Sequence, residues 1–193
     1  MAPPLPLRFV RSSPNVGDLP ATTAEVAVVG RSNVGKSSLI NAVANRKGLA
    51  HVSKTPGRTQ LLNLYQSDTG TLVDLPGYGF AAAPGRVTRT WQAMIEGYLL
   101  DRPGLAMVVV LVDGAIGPTP LDLQMLDWLR SHGVAHTVVA TKHDKVKPSL
   151  RAKRRAEVAA ACHLEPADVL WVSAAKGTGI EELRAMVTRW LSA

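Results

Sequence analysis

Residues 25–38 read EVAVVGRSNVGKSS. The first six, Glu25–Gly30, form a short valine-rich run closed by glycine, the signature of a strand buried on both faces. From Lys36 to about Asn45 the spacing of apolar residues turns helical. Between strand and helix lies GRSNVGKS, Gly30 to Ser37, a complete G-x-x-x-x-G-K-S sequence in the context that gives this pattern its meaning. Gly30 and Gly35 let the backbone fold tightly, so that the N–H groups of Arg31, Ser32, Asn33, Val34 and the residues up to Ser38 cradle phosphate oxygens, with the positive end of the helix behind them. Lys36 is placed to reach the β- and γ-phosphates, and Ser37 to give its hydroxyl to Mg²⁺. The alternative, a plain glycine turn capping a helix, does not call for the lysine and serine in this order. The segment predicts a nucleoside triphosphate site.

Outward from this loop, strand-like runs alternate with helical ones. LLNLYQ (Leu61–Gln66), the turn SDTG and TLVD (Thr71–Asp74) read as a hairpin. Val87, Trp91, Met94, Ile95, Tyr98 and Leu99 share a helical face. Met107–Val112, Thr137–Thr141 and Leu170–Ser173 are further strands, and helices are expected at Leu121–Ser131 and from about Gly179 to the end. Thr178 and Glu181 have capping-box spacing before that last helix. The alternation predicts an α/β domain: a mostly parallel sheet with one antiparallel edge from the hairpin, and helices on both faces. The division expected is a partly extended N-terminal leader over 1–22 and one nucleotide-binding domain over 23–193. In such sheets ligands lie beyond the carboxyl ends of the strands, so the loops after Val29, Asp74, Val112, Thr141 and Ser173 are where chemistry is expected.

The loop after Val138–Thr141 names the base. VVATKHD ends an apolar strand with T-K-x-D. The carboxylate of Asp144 accepts two hydrogen bonds, from the N1–H and 2-amino group of guanine, whereas adenine would leave it unpaired. A site built around such a group discriminates by roughly 10⁴. The stem of Lys142 lies along base and ribose, Thr141 closes the strand, and Ser173-Ala174 offers backbone to the guanine O6. GTP and GDP are therefore the expected ligands.

DLPGYGF (Asp74–Phe80) supplies the second element. An acid at the end of a neighbouring strand holds Mg²⁺, usually through water, and this is the role expected of Asp74. The N–H of Gly77 then reports on the γ-phosphate. In the loop KTPGRTQ (Lys54–Gln60), Gly57 borders the nucleotide and Thr59 completes the Mg²⁺ shell, with Thr55 the less favoured choice. Lys36, Thr59, Gly77 and Asn33 are thus the candidate catalytic residues, and Ser37, Thr59 and Asp74 the candidate metal ligands.

Together GRSNVGKS, GRTQ, DLPGYGF, TKHD and SAAKG closely resemble the EngB family of bacterial ribosome-biogenesis GTPases, from about Phe9 to the C-terminus. Asp74 to Ala81 is the most specific piece, since few GTPases follow D-x-P-G with Tyr-Gly-Phe. The resemblance implies a Ras-like P-loop GTPase domain with a six-stranded sheet, Mg²⁺-dependent GTP hydrolysis, and a role in assembling the large ribosomal subunit. It also implies that Tyr78 stands where Ras-type enzymes keep a water-orienting glutamine, so intrinsic hydrolysis is expected to be slow. Related GTPases with an asparagine at the place of Asn33 use K⁺ as a charge stabiliser, which makes K⁺ a second candidate cofactor. Two places depart from the family: Ala82–Pro84, where a lysine is common, and the residues after Asp113, where an Arg-His pair is common. Tyr78 and Phe80 either pack the loop against the domain or form a surface that a partner reads.

Charge points the same way. The chain of 193 residues carries a net charge of +7, and Lys142–Arg155 alone holds seven Lys/Arg against one Asp. Val26–Gln66 holds six Lys/Arg and no acid. Clustered cations are the footprint of a polyanion. Lys145, Lys147, Arg151, Arg154 and Arg155 are the candidate RNA contacts. The bland alternative is a solvated helix face eased by a Lys153–Glu157 pair. Hydrophobic content of 46% and charged content of 19% describe a globular chain with room for one core. The longest apolar run, Leu105–Val112, is too short to span a bilayer, and MAPPLPLRFVRSS is too broken for a secretory signal. A single cysteine, Cys162, reads as a small packed hydrophobe. A cytoplasmic protein is expected, with the large ribosomal subunit or its rRNA as partner and neither membrane nor DNA. A nucleotide-gated RNA scaffold with little turnover, and a GTPase of tRNA modification, are the competing functions.

Overall fold

The structure is a computed structural model and describes residues 2–51, 61–78 and 85–192, with the backbone alone over 85–92. Seven strands form one sheet: β1 (Arg8–Ser13), β2 (Glu25–Gly30), β3 (Leu62–Gln66), β4 (Thr71–Asp74), β5 (Leu105–Asp113), β6 (His136–Thr141) and β7 (Val169–Trp171), in the order β1-β3-β4-β2-β5-β6-β7. Strands β4, β2, β5, β6 and β7 run parallel, while β3 is antiparallel to both its neighbours. Among the described residues five α-helices cover the sheet: α1 (Lys36–Ala44), α2 (Gly85–Asp101), α3 (Pro120–Ser131), α4 (Arg151–Ala161) and α5 (Ile180–Leu191).

The all-buried run of β2 has a simple cause. Alternate side chains go to opposite faces, so Ala27 and Val29 join the core under α2, α3 and α4, while Val26 and Val28 join the one under α1 and α5. Both faces are covered and no position is left for a polar residue, except at the strand's start. There Glu25, fully buried, accepts from Tyr98 at 2.6 Å and from Nε of Arg102 at 3.0 Å, tying β2 to α2 and to the turn that follows it. Cys162 packs in the first core, and burial pushes its thiol up to about 11.

The leader contributes more than its sequence announces. Leu5 and Leu7 are buried in the α1/α5 core, and Arg8–Ser13 adds the seventh strand on the outer edge of β3, bulged between Phe9 and Arg11. The six strands implied by sequence are all present, and this one extends the antiparallel edge to two pairings. A second difference lies before α5. The Thr178–Glu181 capping box does not form; Gly179, at φ 68°, is the cap. A Cβ there would sit 2.3 Å from the carbonyl oxygen of Trp171, so close approach to β7 decides the residue. A capping box does form at α3, between Thr119 and Asp122, with Pro120 at the first helical position. Among the described residues no helix is long and apolar enough to cross a membrane.

Candidate functional site: a guanine-nucleotide cleft

The turn after β2 carries the phosphate loop, and its two glycines serve different needs. At Gly30 a Cβ would meet Val34 Cγ1 at 2.9 Å and the Leu111 carbonyl at 3.0 Å, so space excludes a side chain. Gly35 has open space but φ 112°, so backbone conformation does. Asn33 also takes a left-handed conformation, φ 64°. Helix α1 starts at Lys36, which leaves the N–H groups of its first turn, Ser37 and Ser38 included, without intrahelical acceptors and directed at the mouth of the loop.

Asp74 ends β4 beside this loop. Lys36 Nζ lies 3.6 Å from its Oδ1, and that oxygen is buried with no hydrogen-bond partner. Burial pushes the Asp74 carboxyl above the ordinary carboxylate range, an effect that Lys36 and Asn63 offset in part. A buried carboxylate oxygen with no hydrogen-bond partner, facing the lysine of the phosphate loop, fits a hard cation bound through water. Among the described residues no group of three or more His, Cys, Asp and Glu could cage a metal. Gly57, Thr59 and the alternative Thr55 lie outside the described residues, as does Phe80.

Gly77 packs directly on the phosphate loop, where an added Cβ would be 3.0 Å from the backbone nitrogen of Ser32. The next residue is stitched to the same loop: Tyr78 N–H donates to Gly30 (3.3 Å), and Ser32 N–H donates to the Tyr78 carbonyl (3.0 Å). The Tyr78 side chain turns away into the core, 4% exposed, and its hydroxyl donates to Asp122 Oδ1 at 2.8 Å. Burial, with the Asp122 carboxylate second, holds the phenol far above its ordinary pKa. In this conformation the loop-packing reading of Tyr78 describes its surroundings, and the phenol has no access to an attacking water. Sequence reasoning did not find Asp122 as its partner; the capping-box spacing Thr119–Asp122 was the only signal.

The base-reading loop is built across strand ends. Thr141 Oγ1 donates to the Val34 carbonyl at 2.7 Å, and Lys142 Nζ to the Asn33 carbonyl at 3.0 Å, so the T-K pair fastens β6 to the phosphate loop. Ser173 Oγ donates to Asp144 Oδ1 at 2.6 Å and accepts from Lys176 N–H. That bond, above all, holds the Asp144 carboxyl below the usual range, so it is an acceptor throughout the neutral range. The serine expected as a backbone contact to the base orients the acid through its side chain. Beside them Asp113 pairs with both Arg31 and Lys142.

The basic candidates ring this end of the sheet. Lys145 and Lys147 are exposed. Arg151 donates to the Val146 carbonyl, Arg154 pairs with Glu157 at 3.3 Å, and the Arg155 guanidinium lies over Trp171. The Arg151/Arg154/Arg155 row therefore leans onto its own domain, because it lies on the face of α4 that continues to buried Val158.

Comparison with known proteins agrees with this geometry. Residues 25–142 match the family described as "50S ribosome-binding GTPase". The probable GTP-binding protein EngB of Geobacter metallireducens is 47% identical over 175 residues, covering 90% of this chain and 86% of the relative. The chain belongs to the EngB family of GTP-binding proteins. Its counterpart in Pelotomaculum thermopropionicum is 44% identical over 95% of this chain and 94% of its own length. The crystal structure of a probable GTP-binding protein EngB superposes with a TM-score of 0.71 at 25% identity, covering 87% of this chain and 98% of that one. As an EngB-family GTPase, the protein binds GTP and hydrolyses it to GDP and phosphate.

Proposed function

We propose that this GTPase is a slow, Mg²⁺-dependent nucleotide switch that acts on the large ribosomal subunit during its assembly, meeting rRNA through the cations around its base-reading loop. The observation that carries this reading is the concentration of charge in Lys142–Arg155, seven Lys/Arg against one Asp. The Lys145 side chain is 71% exposed and next in sequence to Asp144 of the base-reading loop. Phosphate backbones reward such a cluster whatever the sequence they carry. The description of the matching family points to the same subunit.

Ser37, Thr59 and Asp74, the last through water, are the residues that would hold Mg²⁺, and Lys36 would reach the β- and γ-phosphates; the bound ion would supply charge neutralisation there. Lys36 itself supplies a second positive charge, and the N–H of Gly77 senses the γ-phosphate. With Tyr78 turned into the core its phenol is not placed to orient water, which supports a low intrinsic rate. Asn33, exposed on the phosphate loop, would hold K⁺. Single-turnover hydrolysis faster in K⁺ than in Na⁺, with the difference lost in Asn33→Ala, supports that placement; equal rates rule it out.

Sucrose-gradient co-sedimentation with large subunits tests the main reading. Binding is expected with GTP, weak with GDP, and lost on reversing Lys145, Lys147 and Arg155 to Glu or on raising salt. Binding that ignores both nucleotide and charge reversal would overturn it.

A further inference from the structure

Asp113, the last residue of β5, is a buried carboxylate that neither the phosphate chemistry nor base reading uses. Its side chain is 4% exposed, yet three groups converge on it. Oδ2 accepts from Lys142 Nζ at 2.7 Å and pairs with Arg31 Nη2 at 3.3 Å, while Oδ1 accepts the N–H of Ala115 at 3.0 Å. Lys142 belongs to the base-reading loop and Arg31 to the phosphate loop, so one acid fastens the two halves of the nucleotide cleft. The Lys142 ammonium is then held at two points, Asp113 and the Asn33 carbonyl. Its backbone stands at φ 58°, a conformation that a lysine rarely adopts without such restraint.

We infer that Asp113 is a positioning residue for guanine-nucleotide binding: it pre-sets the Lys142 stem in the extended pose that lies along base and ribose. A free lysine samples many rotamers, and ordering it on binding costs affinity. A lysine ordered beforehand avoids that cost, which is the general advantage of preorganisation. Arg31 supplies a second cation against the same oxygen, so the cost of burying the acid does not fall on Lys142 alone.

The full-length chain tests this with a fluorescent GDP analogue, reading affinity and dissociation rate for wild type, Asp113→Asn, Lys142→Met and the double variant. Asparagine retains an oxygen for the Ala115 N–H, and methionine keeps the apolar stem while removing the ammonium. Asp113→Asn is expected to weaken GDP binding about tenfold, mainly through faster release, the weight of one charge-assisted hydrogen bond. In the Lys142→Met background the same change is expected to matter less than about twofold, because coupled sites are non-additive. Wild-type affinity in Asp113→Asn overturns the inference. So does an equal loss in both backgrounds, whether or not nucleotide-free thermal unfolding shows the fold weakened, since the residue would then act only on the structure.

Discussion

At the residue scale, single polar contacts decide how the guanine site and the switch root are set. Ser173 holds Asp144 by a 2.6 Å hydrogen bond. Ser173→Ala is expected to weaken GDP binding by about five- to tenfold, as loss of a hydrogen bond to a charged group should; titration calorimetry measures it directly. Because the Asp144 carboxyl is depressed, its contribution to stability is present above the ordinary Asp pKa and is lost as pH falls through the lower, folded value. GDP affinity should accordingly stay flat from pH 8 to about 5 as far as this group is concerned. Tyr78→Phe removes the hydrogen bond to Asp122 Oδ1 and leaves that atom buried inside α3's cap. The expected cost is about 1–3 kcal/mol in urea unfolding of the nucleotide-free protein.

At the scale of elements, side chains from one element finish another. Arg184 of α5 donates to the carbonyls of Val43 (2.9 Å) and Ala42 (2.7 Å), capping the C-terminal end of α1, the helix that carries the phosphate loop. Asn41 closes the next turn by a two-way pairing with the backbone of Ala50, at 2.9 and 2.8 Å. Arg184→Ala is expected to cost about 1–2 kcal/mol by thermal unfolding, with GDP affinity lowered less than stability. His143 supplies a pH test. Burial, then the positive charge of Arg151 and Arg155, lowers its pKa, while Asp144 opposes them. A lowered histidine means that the unfolded chain takes the proton more readily, so stability is complete above the ordinary value near 6.5 and falls as pH drops through it toward the folded value. The unfolding midpoint should drop between pH 7.5 and 5.5, and His143→Phe, which keeps the ring against Trp171, should flatten that slope.

At the scale of the molecule, a central strand buried on both faces anchors the nucleotide end and is itself anchored at its start by Glu25. Arg102→Ala would leave that carboxylate buried without its cation, a loss of about 3–5 kcal/mol, a large part of the stability of a domain this size. The central strands, the hairpin and the motif loops were legible in the sequence because each is a local pattern: a valine run, a turn, a glycine pair. Strand β1 was not. RFVRSS is exposed along all but its last residue, so it carries no buried alternation, and its place comes from backbone pairing with β3. The ties that set the site were also silent, since Arg31–Asp113 and Tyr78–Asp122 join residues 82 and 44 positions apart. Motifs mark the groups proposed to touch the ligand; only the fold brings together the groups that hold them.

The central claim is that Asp144, held by Ser173, selects guanine by accepting from its N1–H and 2-amino group. Calorimetry of wild type and Asp144→Asn against GDP and xanthosine diphosphate tests it most directly, because xanthine replaces the 2-amino donor with an acceptor. The account predicts that wild type binds GDP far more tightly than the xanthosine nucleotide and that Asp144→Asn reverses the order. Undiminished preference for GDP in Asp144→Asn would contradict it.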